Sequence, residues 1–133
     1  ARNHPWATRS TVSPNEIADI DLISLTRGTG ARAALDALLA RQGQMRRPRW
    51  EVASPSLARM LATRGLGVAA LSASTAASWD DVVSLPINDP DARSRLGVVW
   101  RDPASPAAAA LLREIDPHLG SAAPPRRVNA RKK

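Results

Sequence analysis

The sequence predicts an α/β fold, a mixed sheet flanked by helices, and three observations lead there. Short apolar runs of strand length alternate with stretches of helical period. Ser-Pro pairs, a cap followed by a residue pre-set for the first helical position, recur at positions 13, 54 and 105. Glycines stand where two of the helical stretches stop, at Gly43 and Gly65.

Residues 1–20 read as an extended entry ending in one short turn of helix at Ser13-Pro14-Asn15-Glu16-Ile17. Asp21 to Thr26 is a short apolar run of the kind that forms a buried strand. From Ala31 to Gln42, Ala31, Ala34, Leu35, Leu38 and Leu39 share one helical stripe, which makes this the clearest helix of the chain. Arg49 to Val52 is a second strand, and Ser54-Pro55 opens a helix whose Leu57, Met60 and Leu61 are expected to face inward. Leu66 to Leu71 is a third strand, followed by a helical turn from Ser72 to Ser78. Val82 to Ile87 and Leu96 to Trp100 are further strand candidates. Ser105-Pro106 then begins a last helix with Ala108, Leu111, Leu112, Ile115 and Leu119 on its stripe. No internal repeat is present.

A chain of 133 residues buries one modest core. The net charge of +7 would suggest an anionic partner, but Arg126, Arg127, Arg131, Lys132 and Lys133 supply five of the seven, beyond the last acid, Asp116. Residues 121–133 are therefore expected to be a basic, disordered tail, with non-specific nucleic-acid contact as the lesser alternative. The absence of cysteine removes disulfides and thiol nucleophiles. No apolar run approaches the roughly 20 residues that span a bilayer, and no signal peptide opens the chain, so a cytoplasmic protein is expected. His4 and His118 stand far apart without paired carboxylates or cysteines, which argues against a metal site or a Ser-His-Asp triad. Asp80-Asp81 and the Arg46, Arg47, Arg49 cluster read as solvated surface, and the four scattered tryptophans as core or interface.

The sharpest local signal is Thr26-Arg27-Gly28-Thr29-Gly30-Ala31-Arg32, between a predicted strand and a predicted helix. Free N–H groups at a helix start, its dipole, and the Thr29 hydroxyl attract a carboxylate or phosphate, with Arg27 and Arg32 able to add charge-assisted bonds. Equally, Thr29 caps the helix and the glycines permit the turn. Gly28-x-Gly30-x-x-Ala33 also approximates a dinucleotide fingerprint, with Glu51 about 20 residues on where a ribose-binding acid belongs. Arg27 within the turn, Ala33 in place of the third glycine and the small number of following strands weigh against it. Gly65-x-Gly67 has the same glycine spacing but follows a helix and precedes a strand, the reverse of the nucleotide-binding order. There is no P-loop sequence.

The ordered segments His4-Pro5-Trp6-Ala7, Leu22 to Arg32, Glu51 through Gly65-Leu66-Gly67-Val68, Leu96 to Arg101 and Ser105 to Ala108 resemble the C-terminal part of the effector-binding domain of LysR-type transcriptional regulators. The resemblance implies a lobe like those of type 2 periplasmic binding proteins over residues 21–120, with most of the first lobe and the winged helix-turn-helix lacking a counterpart in this sequence. It implies the ligand-sensing portion of a bacterial DNA-binding regulator, without enzymatic activity and without a cofactor. A small effector, anionic by the chemistry of the loop, would be held by Thr26, Arg27, Thr29, Gly30, Arg32, Ser54, Pro55 and Ser56. Homodimerisation is implied for the full-length regulator, as is DNA contact through an N-terminal domain only, with no membrane partner. The alternative is a dinucleotide-dependent enzyme fragment using Gly28, Gly30 and Glu51.

Overall fold

The computed structural model describes residues 2–94, 98, 100 and 103–115, and the chain forms two compact units, Ala1–Leu96 and Gly97–Lys133. In the first unit, β1 (Leu22–Leu25), β2 (Trp50–Val52) and β3 (Val68–Ala70) form one parallel sheet in the order β2-β1-β3. Ile23 pairs with Trp50 on one side of β1 and with Ala69 on the other. All four β1 residues are buried, as a central strand covered on both faces requires.

Helix α2 (Gly30–Arg41) connects β1 to β2, and α3 (Pro55–Thr63) connects β2 to β3. Successive side chains of a strand point to opposite faces, so Leu22 and Ile23 serve different cores. Leu22 packs with Val12, with Ile17 of the short helix α1 (Pro14–Ala18), and with Leu35, Leu38 and Leu39 of α2. Ile23 and Leu25 pack with Val52 and with Ala58 and Ala62 of α3. The two crossovers travel in opposite directions, β1 outward to β2 and β2 back past β1 to β3, and a common right-handedness puts their helices on opposite faces.

The inward face of α3 differs from expectation. Ala58 and Ala62 are buried, whereas Leu57 and Met60 are exposed and Leu61 is half-buried. Apolar residues occupy most of this helix, so size decided the matter: two alanines at i,i+4 spacing let the helix approach the sheet closely.

Gly67 has a structural duty at the entry of β3. Its φ is +154°, and a Cβ there would lie 2.4 Å from the Asp21 carbonyl oxygen, which accepts a bond from Val68 N–H at 2.9 Å. Val82 to Ile87 does not join the sheet. It meets Val12 in one isolated bridge at Ile87, because Pro86 lacks the N–H that a continuous ladder needs. The expected strand Leu96 to Trp100 lies largely outside the described residues. Within residues 1–20, Pro5–Thr8 forms a 3-10 turn ahead of α1, and Ala73–Ala76 forms the short helix α4 after β3.

In the second unit, α5 (Pro106–Ile115) starts where the Ser-Pro pair places it, with Ser105 Oγ accepting from Ala108 N–H at 3.2 Å. Among the described residues, no helix is long and apolar enough to cross a membrane.

Candidate functional site

Because all three strands are parallel, their carboxyl ends open on a single edge of the sheet. Each is followed there by a helix start, with Thr29, Ser54 and Ser72 at the cap positions of α2, α3 and α4. The chain leaves β1 for one face and the adjacent β2 for the other, so the starts of α2 and α3 flank the sheet on its two faces at this edge. Thr26 N–H donates to Val52 C=O at 3.1 Å, which carries the β1–β2 pairing one step into the loops that lead to the two helix starts.

The β1–α2 loop is shaped by its own residues. Gly28 takes φ +92°, the left-handed region that lets the chain reverse within a tight turn. Thr29 Oγ1 donates to Thr26 C=O at 3.0 Å and accepts from Arg32 N–H at 3.3 Å. The first α-helical bond runs from Ala33 N–H to Thr29 C=O. Among the described residues, Gly30 and Ala31 N–H have no acceptor, which leaves two of the donors that every helix start presents. At α3, Ser54 Oγ accepts from Leu57 N–H at 3.3 Å, Pro55 has no N–H, and Ser56 N–H is the donor left without an acceptor among the described residues.

The electrostatics of these starts differ from that of α1. There Glu16 sits in the first turn and closes a capping box, accepting from Ser13 N–H at 3.0 Å. The Arg9 bond, followed by those from Ser13, lowers the Glu16 pKa to about 2. Neither α2 nor α3 has an acidic residue in its first turn. Their positive ends therefore lack a first-turn counter-charge, and an external anion can meet the donors they present.

The sequence-predicted residues sort into three groups. Gly30, Ser54 and Ser56 are exposed at this edge, with Thr26, Thr29 and Pro55 half-buried there. Arg27 is exposed in the turn. Arg32 behaves otherwise: it is 3% exposed, with Nε on Asp36 Oδ1 at 2.8 Å and Nη1 bonded to Glu51 Oε2. Burial alone would lower its pKa, but the bonds to Asp36 and Glu51 outweigh that and raise it, so the guanidinium stays charged. The same contact engages the carboxylate that a dinucleotide site would assign to ribose.

Two positions at this edge escaped sequence reasoning. Ser94 stands against the start of α2, where a Cβ on Gly30 would lie 3.5 Å from the Ser94 Cβ. Ser72 marks the third strand end, its hydroxyl 2.6 Å from Thr75 Oγ1. Ser72 was recognisable by its place after the third apolar run, whereas nothing in the turn-rich run around Ser94 distinguishes it. A cavity of about 590 Å³ lies elsewhere, along β3, with Ala69, Trp79, Val82 and Leu85 among its walls. None of the predicted residues lines it.

The family model of the LysR substrate binding domain matches residues 1–120. The chain belongs to this family. No curated protein matches it. The LysR substrate binding domain has a periplasmic-binding-protein-like fold, and the three-stranded parallel sheet flanked by helices is the corresponding α/β arrangement here. Membership gives the chain the character of an effector-binding regulatory domain, a class that belongs to regulators.

Proposed function

We propose that this chain is the effector-sensing portion of a LysR-type DNA-binding transcriptional regulator and that its effector is a small anion held at the carboxyl edge of the sheet, by the helix starts that follow β1 and β2. The supporting observation is that two neighbouring helix starts, α2 and α3, each retain backbone donors and no first-turn acid in a chain of this family. Gly30, Ala31 and Ser56 N–H meet the anion, the hydroxyls of Thr26, Ser54 and Ser56 orient it, and Arg27 adds charge at the rim. Thr29 and Pro55 shape the two starts. The regulator reads DNA through a separate N-terminal domain, pairs as a homodimer and works in the bacterial cytoplasm without a cofactor.

A dinucleotide enzyme built on Gly28, Gly30 and Glu51 is less favoured, because Glu51 is engaged by Arg32. Thermal melting against a panel of small carboxylates, phosphates and dinucleotides separates the two. A ligand at a hundred times its Kd stabilises the fold by about 2.7 kcal/mol. Stabilisation by a carboxylate or phosphate, lost in Gly30→Pro and kept in Gly30→Ala, is the expected result. Proline is well tolerated at the first helical position, and Thr29 already has the extended conformation that precedes it, so this variant deletes one N–H and little else. Stabilisation by dinucleotides alone would overturn the proposal in favour of the enzyme, and stabilisation by nothing in the panel would overturn both.

A further inference from the structure

Arg32 is the one charged residue among the described ones that is fully buried, and arginine is seldom buried without a purpose that its partners reveal. Its partners come from three places. Nε bonds Asp36 one turn along α2, at 2.8 Å. Nη1 reaches Glu51 of β2 and also the Leu25 carbonyl at the end of β1, at 3.4 Å. The Arg32 backbone N–H is the group that Thr29 caps. One side chain thus ties the first turn of α2 to the last residue of β1 and to β2 three residues before Ser54.

We infer that Arg32 and Glu51 form a positioning pair that sets the α2 start against the α3 start, so that the donors of both converge on one anion which neither residue touches. This rests on the proposed anion site and goes beyond it, because it moves Arg32 from ligand contact to support. The planar fork matters as much as the charge, since guanidinium can serve Glu51, Asp36 and a carbonyl at once while an ammonium cannot hold the same fixed geometry. A preorganised pair of donors binds without the cost of ordering them. The carboxylates of Asp36 and Glu51 exceed the single positive charge of Arg32, so the cluster repels an anion rather than attracting it.

That sign makes positioning separable from electrostatics. With inorganic phosphate and benzoate as probes, binding is followed by the amide signals of Gly30 and Ser56 in the 133-residue chain, well below its melting temperature. Glu51→Gln removes a negative charge near the anion: electrostatics alone predicts tighter binding, whereas the positioning pair predicts weakening of about tenfold. Arg32→Lys keeps the charge and loses the fork, and the same weakening is expected. The double variant should be no weaker than either single one, because each breaks the same link. Tighter or unchanged binding in Glu51→Gln, with the fold intact by circular dichroism, overturns the inference while leaving the anion site standing. Should Arg32→Lys fail to fold, Glu51→Gln carries the test, because the Glu51 side chain is 45% exposed and the buried guanidinium keeps Asp36 and the Leu25 carbonyl as partners. If the wild-type chain binds neither probe saturably, the anion site itself fails, and the inference falls with it.

Discussion

Gly28-x-Gly30 and Gly65-x-Gly67 share one spacing and sit at opposite edges of the same sheet. The first follows a strand and opens a helix, so its glycines free a turn and leave N–H groups facing outward. The second follows a helix and enters a strand, so its last glycine lets two backbones meet, with Val68 N–H on Asp21 C=O. The same two letters give a binding edge in one place and a packing joint in the other. Their difference lies in the direction of the parallel strands, which gathers helix starts at carboxyl ends and closes amino ends against the neighbouring chain.

Alanine at each turn gives the largest contrast. Gly67→Ala meets both an unfavourable φ of +154° and a carbonyl oxygen 2.4 Å from the new Cβ, and a loss of about 3 kcal/mol is expected in urea unfolding. Gly28→Ala has open space and only the strain of φ +92°, so about 1 kcal/mol is expected. Equal losses at the two positions would break the distinction between joint and loop.

The contrast extends to the helix starts, where α1 supplies its own anion and α2 does not. Glu16 has its pKa lowered from 4.5 to about 2, so its contribution to stability is present above the unfolded value and is lost as pH falls through the folded one. The Ser13 amide signal should therefore titrate with a midpoint near 2. A midpoint near 4.5 would show that the capping box does not hold Glu16 in solution.

Much of the frame was legible because its signals are local. The apolar run at Leu22, the stripe through Leu35, Leu38 and Leu39, and the Ser-Pro starts specify β1, α2, α3 and α5 with bounds close to those observed. The helix starts of the candidate site were legible for the same reason. The burial of Arg32 depends on partners 4 and 19 residues away, which no single-residue propensity reports. A signal was present all the same: Arg32 stands at i,i+3,i+7 with Leu35 and Leu39, on the stripe that faces the core. The inward face of α3 was misread because apolarity alone ranks Leu57 and Met60 above Ala58 and Ala62, while the sheet selects for small size at close approach. Val82 to Ile87 has strand composition, but Pro86 interrupts its donors, and that residue was visible in the sequence.

The central claim is that an anion is bound at the carboxyl edge of the sheet rather than in the cavity along β3. Mapping amide shifts across the chain during titration with the most stabilising small anion tests it most directly. The account predicts saturating shifts concentrated at Gly30, Ala31 and Ser56. Shifts that saturate instead at Val68, Ala69 and Val82, with Gly30 unmoved, would contradict it.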